Sequence, residues 1–179
     1  MAGQLLTPLT RYANAGCEQF AIDNGAFSGF NEKDFLSLLK RESKNIERCL
    51  WVSCVDIVGS ARRTLELWKR MRCLLGDFPA ALVAQDGIED LEIPWDEIAA
   101  IFIGGKDPWK DSECAKDIVR TAKILRVPSH VGRVNTIKRY KVFAELGADT
   151  CDGSGVAMYD HMLRKIQDTL SEKQQPTLF

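Results

Sequence analysis

Histidine and closely spaced cysteine are what this sequence has least of. Its 179 residues hold two histidines, His130 and His161, and six cysteines, Cys17, Cys49, Cys54, Cys73, Cys114 and Cys151, with no Cys-x-x-Cys pair. A zinc site takes closely spaced thiolates or imidazoles, so neither a metal nor any other cofactor is expected. Cys54 and Cys151 fall inside apolar runs, where cysteine behaves as a small buried hydrophobe. An excess of one charge is missing as well: 24 Lys and Arg face 25 Asp and Glu, a formal net charge of -1. No global positive field therefore draws the chain to nucleic acid or membrane, which leaves only local basic runs to do so. No apolar stretch reaches the length of a membrane span, and the first residues lack the basic-then-apolar profile of a secretion signal. A cytoplasmic location without membrane contact is the expectation. Low-complexity and linker-like stretches are missing until the polar end of the chain. One domain is expected over residues 1–170, followed by a flexible tail over 171–179.

What is present is alternation. Short apolar runs at 4–7, 20–23, 50–56, 81–85, 100–103, 129–131 and 149–151 are separated by longer stretches with helical spacing. Most runs lack a polar residue at every second position, which is how parallel strands read when both faces are covered. The helices carry their own start and stop signals. Asn31 precedes Glu32 and Asp34, and Ser60 precedes a stretch with Leu65, Leu67, Trp68 and Met71. Asp111 and Asn135 open two more helices, and Gly147 closes the second. Pro94 stands where it begins a short helix over 95–99, and a last helix is expected over about 159–170.

Strand-then-helix repetition gives a parallel sheet, open or closed. An open sheet concentrates its site at one switch point, whereas a barrel spreads polar residues over the C-terminal ends of many strands. The second pattern is the one present, and 179 residues are few for eight full units. The expected fold is α/β, a compact or incomplete TIM-like (β/α) barrel with parallel strands.

Asp23, Asp56, Gln85 with Asp86, Gly104 with Gly105, Arg133 and Asp152 each follow directly on an apolar run. On a barrel these positions converge on one rim, which joins three carboxylates with an amide and a glycine pair. Crowded carboxylates shift one another's proton affinities, which suits one as nucleophile and another as general acid or base. A carboxylate beside an amide reads the donor and acceptor edge of a heterocyclic base, and glycines let backbone N–H groups approach a ligand closely. Each aspartate alone has a plainer reading as the cap of the helix that follows. Repetition at successive strand ends is what favours a site.

Other features read more plainly. His130, inside an apolar run, reads as a core residue, and Trp51, Trp68 and Trp95 read as packing anchors. Trp109, beside Lys106 and Lys110, is the best placed of the four tryptophans to stack on a ligand. Gly153, Ser154 and Gly155 read either as a phosphate cradle or as a tight turn. Two basic sets, Arg62, Arg63, Lys69 and Arg70, and Arg133, Lys138, Arg139 and Lys141, read either as solvated helix faces or as contacts to a phosphate backbone.

The series Asp23-Asn24-Gly25-Ala26-Phe27, Asp56, Val83-Ala84-Gln85-Asp86-Gly87, Ile103-Gly104-Gly105, Gly132-Arg133-Val134 and Asp149-Thr150-Cys151-Asp152 resembles the tRNA-guanine transglycosylase superfamily. Barrel enzymes of that superfamily exchange guanine in a nucleic acid for a 7-deazaguanine base. The resemblance implies Asp152 as the nucleophile that forms a covalent glycosyl-enzyme intermediate, and Asp23 as the proton shuttle for the departing and incoming base. It implies Asp56, Gln85 and the backbone of Gly104 and Gly105 as contacts to the base edge, and Arg133 joins them as a substrate-binding residue. Two features of the superfamily are missing: its zinc-binding cysteine and histidine cluster, and the basic proline-threonine-arginine run after the nucleophile, where Gly153-Ser154-Gly155 stands. Both serve tRNA binding, so the chain looks more like the small zinc-free relatives of phages and bacteria that act on DNA. The partners implied are nucleic acid, DNA favoured over tRNA, and a 7-deazaguanine base, for a chain acting alone or as a homodimer.

The end of the chain, Gln175-Pro176-Thr177-Leu178-Phe179, resembles the glutamine-x-x-leucine-phenylalanine peptide with which bacterial replication proteins dock on the sliding clamp. Gln175, Leu178 and Phe179 are the expected anchors there. Two other function classes stay open. One is a lyase or aldolase-like barrel acting on a small phosphorylated metabolite, disfavoured because no strand-end lysine offers a Schiff base. The other is a base-binding module without catalysis.

Overall fold

The apolar runs become short parallel strands: Gln4–Leu6 (β1), Phe20–Ile22 (β2), Cys49–Ser53 (β3), Ala80–Ala84 (β4), Ala100–Ile103 (β5), Ser129–Val131 (β6) and Thr150–Cys151 (β7). An eighth, Thr177–Leu178 (β8), joins β7. A computed structural model describes residues 3–10, 19–153 and 177–178. The strands pair in chain order, each parallel to the next, and the sheet curls into an incomplete TIM-like barrel. Among the described residues β1 pairs with β2 alone and β8 with β7 alone, so no ladder closes the ring. The crossovers carry helices Glu32–Glu42 (α1), Ala61–Met71 (α2), Asp107–Lys110 (α3), Glu113–Leu125 (α4) and Ile137–Leu146 (α5). No helix of the described residues is long and apolar enough to cross a membrane.

Side chains alternate along each strand, and here both alternating sets are buried. Phe20, Ile22, Val52, Leu82, Ile101, Ile103 and Val131 pack outward into a large core with Phe35, Trp68, Val119 and Phe143 of the helices. The intervening Ala21, Trp51, Ala81, Val83, Ala100 and Phe102 form a second cluster inside the curl. That is why the runs show no polar alternation. Trp51 meets Phe102 edge-on at 5.4 Å, and the His130 ring lies 4.6 Å from each of them. Truncating either aromatic to alanine would cost about 3–5 kcal/mol, so this cluster is a firm floor for whatever lies above it.

Several helix ends follow their signals and several do not. The Asn31 side chain accepts the Asp34 N–H at 3.2 Å, and Gly147 closes α5 with φ 85°. Ser112 and Thr136 cap α4 and α5, one residue beyond the expected Asp111 and Asn135. Arg139 holds both oxygens of Asp111, at 2.8 and 2.7 Å, and so draws that carboxylate away from the cap. Residues 95–99 form a turn instead of the expected short helix. The Glu97 N–H bonds Pro94 O at 3.0 Å, and the Ala99 N–H already bonds Ala80 O at 2.8 Å, so the chain enters the sheet before a helical ladder can form.

The helix expected over 159–170 lies outside the described residues. Within the expected tail over 171–179, Thr177 pairs with Thr150 and Leu178 with Cys151, so at these two residues the backbone is strand rather than free chain. Gln175 and Phe179 lie outside the described residues. Docking on a clamp through Leu178 would require β8 to leave the sheet.

Candidate active site

The strand pleat carries the inner face one step further at the C-terminal ends. Two residues beyond the inward-facing Ala21, Trp51, Val83, Phe102, His130 and Thr150 come Asp23, Ser53, Gln85, Gly104, Gly132 and Asp152. All six line one pocket, and Asn24, Phe27, Asp56, Gly105 and Arg133 complete its rim over a floor of Val83 and Phe102. The empty space among these side chains, with the open solvent at the mouth included, is about 460 Å³. The residues expected as one constellation, Asp23, Asp56, Gln85, Gly104, Gly105, Arg133 and Asp152, therefore all meet here.

Asp152 follows β7, and its Oδ1 accepts two bonds, from His130 Nε2 at 3.0 Å and from the Arg133 N–H at 3.0 Å. A carboxylate only accepts, so Nε2 carries a proton toward Asp152, while Nδ1 is hydrogen-bonded with the Thr150 hydroxyl at 2.8 Å. Arg133 adopts φ 56°, a left-handed conformation that non-glycine residues rarely take, and this turns its N–H onto the carboxylate. Among the described residues none donates to Oδ2. Burial pushes the Asp152 carboxyl up, but the His130 hydrogen bond and charge, the Arg133 N–H and the Lys110 ammonium outweigh it and hold it below the usual carboxylate value. With 22% of its side chain exposed, Asp152 is an anchored anion with one oxygen open to the pocket.

His130 is fully buried, as a core residue would be. Its bond to Asp152 went unforeseen. The signal was in the register: β6 sets His130 beside Thr150 of β7, on the inner face that leads to Asp152.

Asp23 has the opposite environment. Burial raises its carboxyl above the usual range and the charge of Asp152 raises it further, against the Gly25 N–H at 2.9 Å, His130 and the Ser53 hydroxyl. Two carboxyls of one pocket are thus pushed apart in proton affinity, the arrangement that separates an acid from a nucleophile.

Asp56 is 7% exposed. Its Oδ1 accepts from Asn24 Nδ2 at 2.8 Å and its Oδ2 from Gln85 Nε2 at 2.6 Å. Burial nevertheless pushes it up to about 6, with the charge of Asp23 adding to the effect. Asn24, which sequence reasoning treated only as part of a motif, ties the two strand ends together. Its Nδ2 also reaches Cys54 O at 2.7 Å, and its own N–H bonds Ser53 Oγ at 2.8 Å. Gln85 Oε1 accepts the Gly59 N–H at 2.8 Å. Each carboxylate oxygen keeps a second lone pair and Gln85 a second N–H, so a ligand edge still finds partners here.

Gly104 and Gly105 serve differently from the expectation. Both N–H groups donate to Ala84 O, at 3.0 and 3.2 Å, and so are engaged within the protein. Their carbonyls accept from the Arg133 guanidinium, at 3.4 and 2.6 Å. Glycine is needed for space: a Cβ on Gly104 would lie 2.6 Å from Val83 Cγ1 and 2.8 Å from Gln85 Nε2, and one on Gly105 would collide with the Trp109 ring. Trp109 is accordingly a packing residue whose Nε1 donates to Glu89 at 2.9 Å. The Arg133 guanidinium lies over the Phe27 ring, 4.2 Å from its centre, and Phe27 stands 65% exposed at the mouth.

Away from the pocket the chemistry is quiet. Burial pushes the thiols of Cys49 and Cys151 up to about 12 and that of Cys54 up to about 11, which keeps them protonated. Arg139 is tied to Asp107 and Asp111, whereas Arg62, Arg63, Lys69, Arg70, Lys138 and Lys141 are exposed on helix faces. Among the described residues no group of three or more His, Cys, Asp or Glu is arranged to hold a metal ion. Ser154, Gly155 and His161 lie outside the described residues. No family model matches the chain, and no curated protein or solved structure is significantly similar to it.

Proposed function

We propose that this pocket exchanges a base in nucleic acid, replacing guanine with a 7-deazaguanine derivative through a covalent aspartyl intermediate. The observation that carries the reading is the contrast between Asp152, whose carboxyl is held below its ordinary value with Oδ2 open, and Asp23, whose proton affinity burial and the charge of Asp152 raise on the same rim. Asp152 Oδ2 attacks C1′ of the target nucleotide, and the C1′–N9 bond breaks as Asp23 gives its proton to the departing guanine. The incoming base then attacks C1′, the ester bond to Asp152 breaks, and Asp23 takes up the proton that the new base releases. Two displacements retain the configuration at C1′ and divide one difficult step into two.

Asp56 accepts N–H groups of the base edge, and the second N–H of Gln85 meets an acceptor on it. The open face of Phe27, backed by Arg133, is a surface on which the base stacks. A base inside a duplex must be extruded to reach C1′ in this geometry. The likeness of these motifs to the tRNA-guanine transglycosylase superfamily supports the same reaction, and the missing zinc ligands favour DNA over tRNA as its substrate.

The test is covalent trapping. Full-length protein incubated with guanine-containing DNA and a 7-deazaguanine base should give an adduct that survives denaturing electrophoresis, and nucleoside mass spectrometry should find the exchanged base. Asp152→Asn should abolish both. Trapping that survives this substitution would show that another group is the nucleophile, and base binding without any exchange would reduce the pocket to a binding module.

A further inference from the structure

Lys110, the last residue of α3, is fully buried. Ammonium groups are almost never found there without a compensating partner. Among the described residues no carboxylate lies in salt-bridge range of Nζ, which instead donates to the Gly132 carbonyl at 2.5 Å. That carbonyl and the Arg133 N–H belong to a single peptide group, and the Arg133 N–H is one of the two donors on Asp152 Oδ1. A continuous path therefore runs from a buried cation, through one peptide unit, to the carboxylate.

We propose that Lys110 is a positioning residue for Asp152. Its charge polarises the peptide between Gly132 and Arg133 and holds that peptide in the left-handed turn. The Arg133 N–H thereby pins Oδ1 and leaves Oδ2 to the substrate. The inference rests on the reading of Asp152 as nucleophile. Hydrogen bonds in series strengthen one another in a low-dielectric interior, and a bond whose donor or acceptor is ionised, as Lys110 is at one end of this path and Asp152 at the other, is about twice as strong as a neutral one. Gly132 suits this path because a Cβ there would lie 2.7 Å from the Phe102 ring, so a larger residue would move the peptide.

The groups facing Lys110 are Arg133 of the following loop, Arg139 of α5, Asp152 beyond β7 and Asp107 of its own helix. Burial first, then Arg133 and Arg139, bring the ammonium down to about 8 against the pull of Asp152 and Asp107. It is charged at neutral pH and loses its proton within a range the protein can be studied in.

The experiment uses full-length protein labelled with carboxyl-13C aspartate and with 15N, and compares wild type, Lys110→Met and Lys110→Arg by NMR. Asp152→Asn identifies the Asp152 resonance. The midpoint of Asp152 should rise by about 1 pH unit in Lys110→Met and return close to the wild-type value in Lys110→Arg. In the wild type the Arg133 amide resonance should move as pH passes through about 8, and in Lys110→Met it should stay still. In the base-exchange assay, Lys110→Met should lower kcat about tenfold at unchanged KM and move the acid limb of the profile upward.

A folded Lys110→Met whose Asp152 midpoint is unchanged would overturn the proposal. A side chain that only fills space predicts that outcome, together with equal or greater stability, since replacing a buried ion by an apolar isostere is often stabilising. Should Lys110→Met fail to fold, a wild-type Arg133 amide that ignores pH through about 8 overturns it equally. If the midpoint shifts but no form exchanges a base, the relay stands and the base-exchange reading falls.

Discussion

The cost of keeping Asp56 in the pocket should be readable as a pH dependence of folding. Its carboxyl is pushed up to about 6 in the folded chain from an ordinary value of 3.8, because burial disfavours the anion more than the bonds from Asn24 and Gln85 favour it. Between those two values the folded state binds more protons than the unfolded state, so stability falls as pH rises across the window. At about 1.4 kcal/mol per pH unit, the interval from 3.8 to about 6 amounts to roughly 3 kcal/mol. Asp23 is raised for the same first reason and acts with the same sign. Asp152 is lowered, so the stability it contributes is lost only as pH falls below the unfolded value, outside this window.

The perturbation that isolates the effect is Asp56→Asn, compared with wild type by urea unfolding, followed by circular dichroism from about pH 4 to about pH 7. An asparagine amide turns one N–H toward the N–H groups of Asn24 or Gln85, a pH-independent offset of about 1–3 kcal/mol. Only the slope is diagnostic. Stability of wild type relative to the variant should fall by roughly 3 kcal/mol across the window. Parallel curves, or a wild type that gains on the variant as pH rises, would refute the account of Asp56. The same reasoning extends to the ligand: a base that offers N–H donors favours the anion, so its binding should release a proton and tighten as pH rises through about 6.

Two further outcomes test the rim. His130→Phe removes the ring donor from Asp152 Oδ1, so the Asp152 carboxyl should titrate higher. The acid limb of base exchange should move up with it and the rate should fall by about 10–100-fold; an unmoved limb would return His130 to a packing role. Gly104→Ala drives a Cβ to 2.6 Å from Val83 Cγ1 and 2.8 Å from Gln85 Nε2. It should cost about 1–3 kcal/mol in thermal unfolding and weaken base binding by pushing Gln85 off Asp56, whereas an unchanged melting temperature would show that the wall can give.

How much of this could be read beforehand follows from what each feature depends on. The strands were legible because a run buried on both faces is apolar throughout, as in Leu82, Val83 and Ala84. The rim was legible because polarity returns abruptly where a strand leaves the sheet, at Asp23, Gln85 and Asp152. Roles that depend on register were not. His130 looks like core because its neighbours in sequence are core, and only the pairing of β6 with β7 turns its Nε2 toward Asp152. The Gly104 and Gly105 N–H groups looked available, but both bond Ala84 O across the sheet, a contact 20 and 21 residues away in sequence. The turn at 95–99 was misjudged for the same reason, since the Ala99 N–H is claimed by Ala80 O before any helix can use it.

Three aspartates of identical intrinsic chemistry end up with three different characters, and the count of donors does not account for the difference. Asp56 receives two amide N–H groups and still titrates high, while Asp152 receives one ring N–H and one backbone N–H and titrates low. The charges behind the donors make the distinction. Asn24 and Gln85 are neutral, and the nearest charge that Asp56 feels is another carboxylate, Asp23. The donors on Asp152 are a histidine that can carry charge and a peptide bonded to the Lys110 ammonium. Asp23 lies between them, with one backbone N–H and the anion of Asp152 beside it. The division of labour on this rim is therefore set one layer below the surface, by His130 and Lys110, neither of which lines the pocket. Substitutions there should reassign the protonation of the aspartates while leaving the pocket's shape in place.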